Sequence, residues 1–361
     1  MKILALVKTV DVTGISAINH LRAVGPLTYL SREPGFAVGI AGFREIQSAI
    51  DDGRLEELLD VDIVVMSRLF GESQDETLGI IRQFGAITVF DTDDDLTGRY
   101  RDTGHADEFI DMCALSDYVT VSTDNLASEL GQYTSRPPIV LKNHLDMGWF
   151  ADESMRAERQ VPGISIGFVG TATHDQDWCH AADAAMQISD EYPGVTLSVA
   201  CDTVPDYLYE HGVAHIEPVP YAMYPQLLRQ FDIVLCAIDP DDPFNWSKSS
   251  VKALECMGAA RELSDGRVGG AIPVCTNALP YKGVVNGHNG ILCHNDRWYD
   301  ALKGLVENTD RARDLAVTGH NWIKANRNIE TRYVDWGKAY QEMLGGGVAM
   351  EDVQCLRFSL Q

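Results

Sequence analysis

Short apolar runs, each followed by a segment of helical periodicity, recur along this chain in two successive series. In the first series the runs fall at 2–7 (KILALV), 62–66 (DIVVM), 87–90 (ITVF), 118–122 (YVTVS) and 139–141. Helical patterns lie between them, around 15–30, 44–59, 76–84, 106–115 and 124–130. The second series restarts at 164–169 (ISIGFV) and continues at 196–200, 215–217, 232–236, 271–275 and 290–292, with a helix from 175 to about 192. Strands that are apolar almost throughout belong to parallel sheets covered by helices on both faces. Two such series predict an α/β protein of two Rossmann-like, doubly wound domains facing a central cleft. The polar stretch 152–160 (DESMRAERQ), just before Pro162 and Gly163, reads as the linker, giving domains at 1–155 and 160–325.

Composition agrees with this division. At 361 residues the chain exceeds one comfortable core. Apolar residues at 45% and charged residues at 23% are ordinary for a globular protein. No run of eighteen apolar residues occurs, and the opening MKILALVKTVDVTG is too short in its apolar part for a signal peptide, so a cytoplasmic protein is expected. The eight cysteines are scattered without a C-x-x-C pair, several inside apolar runs, and read as reduced core thiols rather than disulfides or a zinc site. A net charge of −24 argues against a broad surface tracking nucleic-acid phosphates, and no basic amphipathic segment near the N-terminus points to a membrane. A mean charge leaves room for one local basic groove.

The stretch 239–255, DPDDPFNWSKSSVKALE, follows the apolar run 231–236 and opens a helix expected to end near Ala260. Its polar residues therefore sit where a parallel sheet releases its strand ends, the place where open α/β sheets bind ligands. Lys248 and Ser249 fall at the expected helix N-terminus, where free N–H groups and the dipole favour an anion. Lys248, Lys252 and Glu255 follow at spacings of four and three, which places them on one helix face able to hold a diphosphate at its tip and sugar hydroxyls a turn deeper. The plain alternative is an ordinary helix start with a solvated Lys/Glu face. A second strand-to-helix turn, Gly170-Thr171, can aim backbone N–H groups at a diphosphate, or can be a turn and nothing more. His174 is a further donor-side contact, while Thr173 or Asp175 serves as an N-cap.

The second half resembles the nucleotide-sugar domain of GT-B glycosyltransferases of the group 1 type. The matching segments are GFVGTATHDQDW (167–178), YPQLLRQFDIVLCAIDP (224–240), NWSKSSVKALECMGA (245–259), AIPVCTNALPYKGVVNGHNGILC (271–293) and DRWYDALKGLVEN (296–308). DIVVMSRLF (62–70), ITVFDTDDDL (87–96) and the blocks from YVTVSTDNLASEL (118–130) to IVLKNHLD (139–146) extend the likeness into the first half. It spans about 60 to 340 and is weak over the first sixty residues. The resemblance implies transfer of a sugar from a UDP- or GDP-sugar, with retention and without a metal or other cofactor, to an acceptor hydroxyl on a glycan, a protein or a modified nucleobase. It implies that Lys248 and Ser249 lie on the phosphate side, that Glu255 accepts from ribose hydroxyls, and that the C-terminal part, 326–361, crosses back to the first domain before a tail. The family carries a second acid eight residues before Glu255; this chain has Ser247, with Asn245 or the acids at 239–242 as substitutes.

The acidic run 91–95 (DTDDD) invites a metal reading, but it lies in the first domain, away from the nucleotide features. It follows the strand 87–90, so Asp91 and Asp93 are expected to project into the cleft as catalytic acids beside Lys248, binding acceptor hydroxyls or stabilising positive charge on the sugar. The plain alternative is an acid cluster at a helix N-terminus. Arg22 and Arg68 are expected to be surface or structural arginines, and 261–270 a surface loop or an acceptor element. An epimerase or hydrolase of the same fold, or a non-catalytic two-lobed binding protein, would share these sequence features.

Overall fold

The structure is a computed structural model that describes residues 1–8, 10–11, 14–71, 74–98, 105–150, 163–170, 175–262, 268–269, 271–294 and 296–345. The expected linker at 152–160, the tail beyond 345, Thr171, Thr173 and His174 lie outside these residues.

Six strands, β1 (Lys2–Val7), β2 (Ala37–Ala41), β3 (Ile63–Ser67), β4 (Ile87–Thr92), β5 (Tyr118–Val121) and β6 (Ile139–Val140), form a parallel sheet in the order β2-β1-β3-β4-β5-β6. A second parallel sheet comprises β7 (Ile164–Val169), β8 (Val195–Ala200), β9 (Ala214–Ile216), β10 (Ile233–Cys236), β11 (Ile272–Thr276) and β12 (Ile291–Cys293), ordered β9-β8-β7-β10-β11-β12. Each strand order reverses once. The reversal falls between β1 and β3 in the first sheet and between β7 and β10 in the second, the positions beside which open α/β sheets bind ligands.

Side-chain alternation along each strand feeds two cores per sheet. Ile3, Ala5 and Val7 of β1 pack on one face with Ile63, Val65 and Val89, whereas Leu4 and Leu6 pack on the other with Val64, Met66 and Phe90. Gly167 on β7 is required by close packing, because a Cβ there would lie 2.4 Å from the Phe231 ring.

The two halves exchange helices. Met147–Phe150, which follows the first sheet, buries Met147 and Phe150 among Leu254, Met257 and Ile323 of the second half. In return Val334–Met343 lays Trp336, Tyr340 and Met343 on the β1/β3 face of the first sheet. Gly258 permits the first crossing: a Cβ would approach Leu145 to 2.6 Å.

Two elements depart from expectation. β2 is absent from the sequence reading because it is an edge strand, half-exposed and interrupted by Gly39, and so lacks a continuous apolar run. The helix that follows residue 248 begins later than expected, at Val251, with Ser250 as its N-cap, after a separate short helix Pro243–Trp246 capped by Asp242.

Candidate functional site

In the first half, the helical stretch after β1 contains a widened turn, His20–Val24, set between Ala17–Asn19 and Gly25–Leu30. Pro26 lacks the N–H that would bond the Arg22 carbonyl, and the Gly25 N–H instead reaches back five residues to the His20 carbonyl. The turn buries Arg22 at 1% exposure. Its Nε and Nη2 donate to Asp91 Oδ2 and Oδ1 at 3.2 and 2.7 Å, and its Nη1 donates to Asn143 Oδ1 at 3.0 Å and to the Leu141 carbonyl. Thr120 Oγ1 adds a bond to Asp91 Oδ1 at 2.7 Å. Asp91 is thus not in the cleft as the sequence predicted. It closes a buried ion pair that ties the helix after β1 to β4, β5 and β6.

Asp93 is also buried, at 4% exposure. Arg68 Nη1 lies 3.3 Å from Asp93 Oδ1 and 3.4 Å from Asp94 Oδ2. Burial, reinforced by Asp94, pushes the Asp93 carboxyl up to about 7 against the pull of Arg68 and Arg22. Arg68 holds a left-handed backbone, φ 51°, at the C-terminal end of β3, a conformation non-glycine residues seldom adopt. An apolar cavity of about 410 Å³, lined by Leu6, Val7, Met66, Leu69 and Phe70 among others, opens at this reversal of the first sheet.

In the second half, buried polar contacts around the segment leaving β10 centre on Asp177 and Glu255. Asp177, on the helix after β7, accepts from the Asp239 backbone N–H at 2.7 Å and from Asn245 Nδ2 at 3.0 Å, with Lys248 Nζ 4.0 Å from its other oxygen. Asn245 Nδ2 also donates to the Asp239 carbonyl at 3.0 Å, and its own Oδ1 is buried without a partner. Lys248 Nζ sits 4.7 Å from the centre of the Phe244 ring.

Glu255 is buried at 4% exposure, and Tyr221 OH donates to its Oε1 at 2.9 Å. Burial pushes its carboxyl up to about 8, opposed by the Tyr221 hydrogen bond and the nearby Lys252 ammonium. Lys252 Nζ is itself buried and, among the described residues, has no hydrogen-bond partner. Native proteins leave few polar atoms in that state, so Lys252 Nζ and Asn245 Oδ1 call for an explanation.

The sequence-predicted residues therefore divide. Asn245, Lys248, Ser249, Lys252 and Glu255 all belong to the segment that leaves β10. Lys248 and Ser249 precede the helix instead of opening it, so only Lys252 and Glu255 share its face. The Gly170 N–H donates to the Ala200 carbonyl at 3.0 Å and extends the sheet, so it does not point at a ligand. Asp177 was missed: no spacing motif marks it, and its partners are 62 and 68 residues away. Among the described residues no cluster of three His, Cys, Asp or Glu side chains could hold a metal ion, and no helix is long and apolar enough to cross a membrane.

The halves meet across this segment. Thr123 Oγ1 donates to the Ser247 carbonyl at 2.9 Å, Asn125 Nδ2 to the Trp246 carbonyl at 3.0 Å, and Asn143 Nδ2 to Ser249 Oγ at 3.0 Å. Beside these bonds lies a polar cavity of about 310 Å³ with walls from both halves.

Among solved structures, HepE from Anabaena in complex with UDP and glucose superposes with a TM-score of 0.66 over 95% of this chain and 100% of its own, at 14% identity. Sucrose-phosphate synthase from Thermosynechococcus elongatus gives a TM-score of 0.65 over 95% of this chain and 99% of its own, at 12% identity. The fold is GT-B. Part of the same architecture recurs in the pneumococcal O-GlcNAc transferase GtfA, at a TM-score of 0.55 over 84% of this chain and 60% of that one, with 14% identity. No family model and no curated protein matches the sequence.

Proposed function

We propose that this chain is a glycosyltransferase that moves a sugar from a nucleotide-sugar donor to an acceptor hydroxyl. The observation that carries the reading is Lys252 Nζ, buried without a hydrogen-bond partner among the described residues, on the same helix face as Glu255, whose carboxyl burial raises to about 8. Such groups are costly in an empty protein and are relieved by a ligand that supplies hydroxyl donors and negative charge. A nucleoside diphosphate does both. Ribose hydroxyls donate to Glu255 and the diphosphate meets Lys248, Ser249 and Lys252. HepE, which shares the fold, binds UDP and UDP-glucose, which favours a uridine donor.

In the reaction the bond between the anomeric carbon and the diphosphate oxygen breaks, and a bond from that carbon to the acceptor oxygen forms. The acceptor proton passes to the departing diphosphate, so no strong protein base is required. Lys248 stabilises the charge that accumulates on the leaving group, in place of a metal. Transfer with retention follows if the acceptor enters from the face on which the diphosphate departs. The first half supplies the acceptor side, with the strand-end cavity by Arg68 as its wall, and closure of the cleft brings the hydroxyl to the anomeric carbon. Asp91, with both oxygens engaged, serves to position the first sheet rather than to react.

Thermal-shift and calorimetric titration with UDP, GDP, ADP and TDP and their sugars tests the proposal. One base is expected to stabilise the protein by about 2.7 kcal/mol at a hundredfold excess over Kd. Lack of binding by the whole panel sinks the reading, as does unchanged donor affinity in both Lys248→Ala and Glu255→Ala.

A further inference from the structure

The chain carries 53 acidic and 29 basic side chains, yet the interdomain cavity reverses that balance. Lys142, Lys248, Lys282 and Arg327 line it, against a single acid, Asp124. Asp124 offsets little: it pairs with Lys142 at 3.6 Å, and their side chains are 80% and 49% exposed. Arg327 is half-buried, and among the described residues it forms no ion pair with a carboxylate. Its backbone is fixed at the crossing between the halves, where its carbonyl accepts from the Leu145 N–H at 2.8 Å.

The positive field extends beyond the cavity wall. His144, next to Lys142 and Asn143, is buried, and burial followed by the charges of Arg327, Arg332, Arg22 and Lys142 pushes its imidazole down to about 3. It is neutral at any physiological pH and contributes no charge of its own. Lys248 faces Asp177 and is assigned to the donor, so Lys142, Lys282 and Arg327 against Asp124 leave an excess of two positive charges, well matched to a dianionic phosphate. A volume of about 310 Å³ lies at the lower limit for a small-molecule site.

We propose that this cavity binds the phosphate group of a phosphorylated acceptor, held by Lys142, Lys282 and Arg327 beside the donor diphosphate at Lys248. The proposal rests on the glycosyltransferase reading and names its acceptor class: a small phosphomonoester, such as a sugar phosphate, presenting a free hydroxyl to the donor. Walls from both halves make the acceptor phosphate a bridge across the cleft, so its binding favours the closed arrangement.

The test is titration of inorganic phosphate and glucose 6-phosphate, with glucose as the uncharged control, into the full chain with and without saturating UDP. Both phosphate probes are expected to bind in either condition and glucose is not. Lys142→Ala and Arg327→Ala are each expected to weaken the probes by about tenfold or more while leaving UDP affinity within about twofold. Lys142 is exposed, so its variant keeps the test independent of folding; Arg327→Lys should recover part of the loss. Competition between the probes and UDP for one site would overturn the proposal, assigning the cavity to the donor diphosphate. Probe affinities unchanged in both alanine variants would overturn it as well. Titration without UDP reads the cavity even if no nucleotide binds, which separates failure here from failure of the donor reading.

Discussion

The two halves of the molecule handle buried charge in opposite ways. In the first, Arg22 and Asp91 are buried together and matched bond for bond, with Leu141, Asn143 and Thr120 taking up further donors and acceptors. In the second, Glu255 shares one hydrogen bond with Tyr221, and Lys252 Nζ and Asn245 Oδ1 are buried with no partner. Both centres lie near strand C-termini, so topology alone does not tell them apart. Satisfaction does. The complete set of partners around Arg22 and Asp91 fits a pair that holds the fold, and the unpartnered ammonium of Lys252 beside Glu255 fits a site that takes a ligand.

The largest effect expected from this contrast is at Arg22. Arg22→Met leaves Asp91 as an uncompensated buried carboxylate and should cost about 3–5 kcal/mol in urea denaturation. Whatever fraction remains folded should still bind UDP. A loss of less than about 1 kcal/mol would mean that the ion pair holds little of the fold, and the contrast would fail.

Next in size is the pH dependence of the two raised carboxyls. Glu255 moves from an ordinary 4.5 to about 8 and Asp93 from 3.8 to about 7, both mainly through burial. In each case the native state keeps a proton that the unfolded chain has released. Stability is therefore full below the unfolded value and falls as pH rises through the folded one. Glu255→Gln should remove a fall on the order of a few kcal/mol between pH 4.5 and 8, and Asp93→Asn one of similar size between about 4 and 7. Saturating UDP should flatten the Glu255 share and leave the Asp93 share intact. Denaturation of wild type and both variants across pH 5–8, with and without UDP, measures this; equal flattening of the two shares would erase the distinction between the halves.

A smaller effect on stability, paired with a larger one on binding, is expected at Lys252. Its ammonium makes no hydrogen bond in the free protein, and methionine preserves much of the stem's packing. Lys252→Met should leave stability unchanged or raise it by about 1 kcal/mol, because it removes an unpaired buried ammonium, while weakening UDP by about tenfold or more. A destabilisation as large as that of Arg22→Met would place Lys252 among the groups that hold the fold.

How much of this could be read from sequence follows the same physics. Strands buried on both faces, such as β3 and β10, announce themselves as unbroken apolar runs, whereas the edge strand β2 does not. Lys252 and Glu255 were legible because helical spacing alone puts them together. Arg22 and Asp91 stand 69 residues apart and become a pair only when the sheet is assembled, so the arginine could be read as surface or structural but not assigned its partner, and the acid read as catalytic. Asp177 was hidden for the same reason. The start of the 251–259 helix was misjudged because no serine of SKSSV makes a side-chain cap bond that would mark it; Ser250 holds the N-cap position without one.

The smallest stability effect, and the sharpest probe of the first half, is at Arg68. Its left-handed φ of 51° costs roughly 1 kcal/mol, and its contacts to Asp93 and Asp94, at 3.3 and 3.4 Å from a side chain 25% exposed, return a similar amount. Arg68→Asn relieves the backbone, since asparagine tolerates that conformation better, and gives up the ion pairs. At pH 5, where Asp93 holds its proton, the two should cancel to within about 0.5 kcal/mol. At pH 8 the ionised Asp93 loses the nearest cation pulling its carboxyl down, so the variant should fall below wild type there. Denaturation at the two pH values decides the point. A deficit of equal size at both would show that Arg68 acts through packing, and that the charges around Asp93 are not balanced within the first half as those around Arg22 are.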